Sequence, residues 1–309
     1  MLLVTTLKIA WSDTIMATRI YVGTCSWSEK SLIGTFYPED IQPGDMISYY
    51  ATQFSTVEVD STFYHIPSHY VAKVWANRTP PGFKFNYKAY GPMTTHSGEY
   101  NGQKIRRATE DMLHEFEDAL SPLAAEDRVG YILFQFPKWF FPSEENKDYI
   151  AWCVENMQNS LIAVEFRNGY WFRDDERTRE TIEFLSGIGA IYVNVDEPQI
   201  DIKSSVPPLD LITSSDMSVF RLHGRKKAMW DVRGATVEER FDYNYSTEEL
   251  EEEIAPRVQN VAEQPIKEVY VMFNNIHHGY GPSNAASLME ILRQLNLPVA
   301  TPERTTRPA

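Results

Sequence analysis

Eight short runs rich in Val, Ile, Tyr and Phe recur along the 309 residues, each followed by a stretch long enough to hold a helix or a long loop. The runs cover 19–25, 56–60, 83–88, 129–136, 161–167, 190–196, 218–223 and 268–274. Amphipathic segments stand between them, at 45–54, 69–78, 103–125, 144–158, 174–187, 247–262 and 284–295. Ser143 ahead of Glu144 and Glu145, and Ser246 ahead of Thr247, Glu248 and Glu249, place acceptors and negative charge at two helix starts. Strand–helix alternation of this kind builds parallel βαβ units. Eight units predict closure into a TIM-type (β/α)8 barrel, a fold of roughly 250 residues that leaves room for long loops. The competing arrangement is an open, doubly wound sheet; the number of units favours the barrel.

One barrel domain is expected over 19–297, with an extension over 1–18 and a polar, frayed tail over 298–309. Met16 stands just before the first run and is a candidate start. No apolar run approaches the roughly 18 residues of a membrane span. The opening segment makes a poor signal peptide. The two cysteines, Cys25 and Cys153, give no disulfide framework, so a cytoplasmic protein is expected. A formal net charge of −14 disfavours nucleic acid as a partner, because polyanion binding rests on excess Lys and Arg. Nothing in the sequence sets an oligomeric state.

Side chains alternate across a strand, so every second residue shares a side. Glu58 and Asp60 share one side of the second run. Lys84, Asn86 and Lys88 do so in the third, Glu165 and Arg167 in the fifth, Asn194 and Asp196 in the sixth, and Arg221 and His223 in the seventh. Gln135 stands near the end of the fourth run, and Asn274 and Asn275 end the eighth. The opposite sides carry Val, Ile, Phe and Leu, as a surface packed on outer helices requires. The polar set is therefore expected to point into the barrel and crowd its C-terminal mouth, where barrel enzymes carry their chemistry. The competing reading is an ion-pair plug. Desolvation offsets most of the attraction in such a network, so aliphatic side chains would fill the barrel as well, and a pocket is the expectation.

Two loops near that mouth carry anion-binding features. Gly224 and Arg225 follow the seventh run; Gly279, Gly281 and Ser283 follow the eighth, near a helix start whose N–H groups suit a phosphate. An ordinary solvated loop is the alternative. Trp27, Tyr64, Tyr90, Tyr170 and Trp171 also follow strands, and their rings suit stacking on sugars or bases; any one of them alone more simply caps the core. No cofactor motif is evident. His65 and His69 are interrupted by Pro67, and His277 and His278 are adjacent, so neither pair suits one metal ion. Glu58, Asp60 or Glu165 would suit a divalent ion through oxygen. Cys25 reads as an inert buried thiol.

The motifs taken together resemble the YecE-like family, known as domain of unknown function 72. They are VGTCSW (22–27), FYP (36–38), FSTVEVDSTFYHIP (54–67), RTPPGFKFNYKAY (78–90), TTH (94–96), LFQFP (133–137), VEFRNGYWF (164–172), VDEP (195–198), RLHGR (221–225) and FNNIHHGYGPSNA (273–285). The resemblance covers nearly all of 20–297. It implies a TIM barrel related to sugar-phosphate isomerases and to endonuclease IV-like barrels, without an established reaction. The histidine-rich zinc set of the endonuclease IV-like barrels has no equivalent here.

Three functions compete. The first is an enzyme of hydrolase or isomerase type acting on an anionic polyol, a sugar phosphate or a nucleotide-like substrate. Glu58, Asp60 and Glu165 would exchange protons, with His223 or His96 as shuttle. Lys88, Arg167 and Arg221 would hold the anion. Gln135, Asp196, Asn274, Asn275, Trp27, Tyr64 and Trp171 would complete the substrate contacts. The second is a glycoside hydrolase-like enzyme using Glu58 and Glu165 as its carboxylate pair. The third is a non-catalytic barrel that holds a ligand or nucleic acid without turnover.

Overall fold

Each of the eight runs becomes a parallel strand in the computed structural model, which describes residues 18–275 and 277–303. The strands are β1 (Arg19–Thr24), β2 (Thr56–Val59), β3 (Lys84–Lys88), β4 (Val129–Phe136), β5 (Ile162–Phe166), β6 (Ile191–Asp196), β7 (Met217–Leu222) and β8 (Glu268–Phe273). They pair in the order β1-β8-β7-β6-β5-β4-β3-β2. The remaining seam, between β2 and β1, is closed at the mouth by a bridge of Cys25 with Glu58, where the Ser26 N–H donates to the Glu58 carbonyl at 2.8 Å. The result is a nearly closed (β/α)8 barrel. Gly23 makes the seam: a Cβ there would lie 2.4 Å from the Thr56 carbonyl oxygen, so only glycine lets the two backbones approach.

The outer helices are α1 (Met46–Gln53), α2 (His69–Asn77), α3 (Glu110–Ala124), α4 (Glu144–Glu155), α5 (Asp175–Gly187), α6 and α7 (Tyr280–Gln294). α6 runs without a break from Thr247–Glu249 through a wide turn, Leu250–Ile254, into Ala255–Ala262. Ser143 accepts from the Asn146 N–H, and Ser246 forms a reciprocal cap with Glu249, as their sequence positions imply. Two expectations are corrected. Residues 103–125 do not form one helix: Gly98–Tyr100 and Gln103–Ile105 make a hairpin before α3 begins. As the lack of an amphipathic segment there implies, no helix follows β6, and 197–216 cross to β7 as a loop. The start of the expected tail does not fray, because Val299 bridges Ile20 and the Ala300 N–H donates to the Ile20 carbonyl at 2.7 Å. Met16 and nearly all of the expected extension lie outside the described residues. Among the described residues no helix is long and apolar enough to cross a membrane.

The barrel interior changes character along its axis. At the N-terminal end Tyr21 stacks on Tyr270 at 4.7 Å, and Tyr131 meets Tyr270 edge-on at 5.6 Å. Lys84 is also there, donating to the Asp127 carbonyl at 2.7 Å. The charged groups gather at the other end.

Candidate active site at the barrel mouth

Arg221 on β7 is the centre of the mouth. Its guanidinium donates to Glu58 on β2 at 2.6 Å and to Glu165 on β5 at 2.5 Å, and all three side chains are fully buried. Tyr131 on β4 donates to the other oxygen of Glu58 at 2.9 Å. Glu165 is also paired with Arg167, just beyond the end of β5, and lies 3.3 Å from His223 Nε2. Asn274 Nδ2 stands 3.0 Å from His223 Nδ1 and the Arg167 guanidinium 3.1 Å from Nε2, so donors face both nitrogens of the ring. Arg167 reaches Glu197 at 3.2 Å and Gln135 at 3.4 Å. Asp60, 28% exposed, stands 4.0 Å from Arg221 at the outer edge of the cluster.

Burial and charge sort these groups by protonation. Burial pushes Glu58 up to about 7, against the pull of Arg221, and the adjacent Asp60 carboxylate pushes the same way. Burial would also raise Glu165, but Arg167 and Arg221 outweigh it and hold this carboxyl well below the ordinary range. Burial raises Glu197 to about 8 despite Arg167. Burial, with Arg167 beside it, lowers His223 to about 3. Burial and Lys88 lower His96 to about 4. Two carboxyls bridged by one arginine are thus pushed in opposite directions, Glu58 up and Glu165 down.

A segment of the long β7–α6 connection covers the cluster. Trp230 and Phe241 lie 5.2 and 6.0 Å from the Arg167 guanidinium, and both pack beside His223. Trp230 Nε1 donates to the Ser204 carbonyl at 2.7 Å, and Asp231 is paired with Lys138. What reaches solvent is the rim: Asp60, Lys88, Gln135, His96 and part of Arg167.

Residues 21–308 match the family described as protein of unknown function DUF72. The chain belongs to the DUF72 family. It is 33% identical to the UPF0759 protein YunF of Bacillus subtilis over 276 residues, which are 88% of this chain and 94% of YunF. A DUF72 protein of Thermotoga maritima superposes with a TM-score of 0.75 at 32% identity, covering 89% of this chain and 99% of that one. A DUF72 protein of Enterococcus faecalis does so with a TM-score of 0.78 at 27% identity, covering 94% and 100%.

The structure of this family member brings Glu58, Asp60, Glu165, Arg167, Gln135, Arg221, His223 and Asn274 together, and relocates several other expected site residues. Asn194 and Asp196 face away from the barrel axis. Asp196 is held by Arg225 at 2.8 Å, Arg257 at 3.4 Å and the Tyr245 hydroxyl at 2.6 Å. The acid that β6 delivers inward is the next residue, Glu197. Arg225 is pinned between Asp196, Glu249 and Glu253, and the Gly224 N–H donates to Tyr245, so both groups expected to hold an anion in the seventh loop are already engaged. Trp171 is fully buried and donates to the Phe140 carbonyl, stacking in the outer core on Phe166 at 4.2 Å. Trp27 and Tyr90 are buried too, and Lys84 is at the wrong end. Asn275 turns to the Tyr243 carbonyl and Asn284. Gly279 caps α7 with φ 76°, Gly281 is buried in its first turn, and Ser283 is exposed on the helix. The expected open pocket is also corrected: the central groups are covered. A cavity of about 400 Å³ instead opens beside the end of β6, lined by Glu197, Asp210, Arg225 and Arg257.

Sequence reasoning missed Tyr131, Glu197, Trp230 and Phe241. Tyr131 shares strand parity with Gln135, so alternation along β4 was a usable signal. Glu197 lies in a loop, and Trp230 and Phe241 end helices of four and five residues, too short to carry a readable period.

Proposed function

We propose that this DUF72 protein is an enzyme of hydrolase or isomerase type that moves protons on a phosphate-bearing polyol, a sugar phosphate or nucleotide, at the C-terminal mouth of its barrel. The observation that carries this is Asp60. Among the described residues its Oδ1 is buried without a hydrogen-bond partner, next to a Glu58 whose pKa is raised to about 7. Glu58 can donate and accept a proton near neutral pH, as general acid–base catalysis requires, and the adjacent Asp60 reaches solvent. Glu165, fixed as an anion by Arg221 and Arg167, orients those arginines rather than exchanging protons. Lys88 lies at the rim, its ammonium 4.9 Å from the Phe63 ring and in no ion pair among the described residues; it supplies the cation for the substrate's phosphate. A divalent ion at Asp60 is a further proposal, tested by adding and chelating metal.

The carboxylate-pair glycosidase reading has less support, because the Arg221 guanidinium stands between Glu58 and Glu165, where a glycosidic bond would have to lie. Two free, buried cysteines support a cytoplasmic setting. The test is a melting-temperature screen of sugar phosphates and nucleotides against wild type and Lys88→Ala. A compound that stabilises wild type should bind the variant about tenfold more weakly or worse, the usual scale for a lost charge-assisted contact. Its turnover should fall by about two orders of magnitude or more in Asp60→Asn. A screen in which no phosphate compound stabilises the protein would end this reading.

A further inference from the structure

The rim beside Lys88 is a wall of rings from three successive loops. Phe63 and Tyr64 follow β2 and meet edge-on at 5.3 Å. Phe63 meets His96 of the β3 loop at 5.0 Å, and His96 meets Trp139 of the β4 loop at 5.5 Å, both edge-on. Tyr64 is 71% and Trp139 57% exposed. In each such pair one ring sets its edge on the other's face, and the exposure of Tyr64 and Trp139 leaves much of the two outer rings open to solvent. Large aromatic faces held at that exposure beside a polar cluster mark a binding surface. The foot of the wall is cationic through Lys88, while His96 between the platforms is held neutral; with Nδ1 engaged by the Thr94 hydroxyl at 3.0 Å, it offers Nε2 for hydrogen bonding without adding charge.

Building on the phosphate-bearing substrate proposed above, we infer that this wall binds the base of a free nucleotide whose phosphate rests on Lys88. A monosaccharide phosphate would meet the cation and leave the outer platforms bare. A planar base joined to a phosphate through a pentose spans from the cation to an outer ring. The formal net charge of −14 favours a single nucleotide over a nucleic-acid strand, whose further phosphates would find no matching excess of Lys and Arg.

Titration calorimetry of the full chain with adenosine and guanosine monophosphates, ribose 5-phosphate and a short single-stranded oligonucleotide tests this, on wild type, Trp139→Ala and Lys88→Ala. The exposure of Trp139 makes its replacement harmless to folding, which circular dichroism checks. The expected result is that a nucleoside monophosphate binds most tightly, and that Trp139→Ala weakens it by about tenfold, as loss of one base-stacking ring does, while leaving ribose 5-phosphate unchanged. Ribose 5-phosphate binding as tightly as the nucleotides, with dependence on Lys88 but not on Trp139, would overturn the base site and leave the phosphate reading standing. Oligonucleotide binding tighter than monomer would overturn the free-nucleotide assignment. Failure of every phosphate compound to bind would overturn both.

Discussion

Glu58 shows how one buried carboxyl sets the behaviour of its neighbours. Its folded pKa, about 7, exceeds the ordinary 4.5, so the native protein keeps a proton that the unfolded chain has released. Stability from this group is therefore full at low pH and is lost as pH rises from about 4.5 to 7, by about 3 kcal/mol, since each pKa unit carries about 1.4 kcal/mol. Glu58→Gln cannot ionise, and its melting temperature should fall less than that of wild type between pH 5 and 7. A parallel decline in both proteins would refute the assignment. Glu197, at about 8, adds a loss of its own as pH rises from about 4.5 to 8. Arg221 is a different case. Arg221→Met leaves Glu58 buried without its cation and Glu165 with Arg167 alone, and urea unfolding should register a loss of about 3–5 kcal/mol. Strand alternation placed most of these groups correctly and failed at β6, where Asp196 and Glu197 are both acidic and both follow Val195. Pairing of Asn194 with Ser218 at 3.1 Å, outside the barrel, set which one turned in.

At the scale of elements, the β7–α6 connection decides whether the cluster meets water. Trp230 and Phe241 shield His223 and Arg167, and burial is the leading cause of the low His223 pKa. Trp230→Ala should raise the His223 pKa from about 3 toward the ordinary 6.5, read from its ring resonances by NMR titration. An unchanged titration would mean that the segment does not seal the site. The β1–β2 seam is the other sensitive element. Gly23→Ala drives a methyl group into the Thr56 carbonyl and should cost about 1–3 kcal/mol, the scale of overpacking, detectable by denaturant unfolding. The eight strands were legible because each carries its own apolar run. The absent sixth helix was legible only as a long connection, and the hairpin at 98–105 was read into α3 because short polar strands carry no strong period.

Over the whole molecule, a surface excess of negative charge adds self-repulsion to the buried acids at alkaline pH. Salt screens exposed charges and barely touches buried ones. At pH 8, raising ionic strength should lift the melting temperatures of wild type and Glu58→Gln alike, and the gap between them should persist in high salt. Closure of that gap by salt would place the Glu58 effect at the surface. The amino-acid sequence by itself determined the barrel, the places of its strands to within about a residue at each end, and the gathering of acids and bases at one end, because apolar periodicity and strand parity are local properties of the chain. Only the tertiary structure decided that Arg221 would bridge Glu58 and Glu165, that Asp196 would turn outward while Glu197 turned in, and that Trp171 would be core while Trp139 stayed exposed. Those outcomes depend on which side chains from distant segments reach one another first, and on how much water the loops above them exclude.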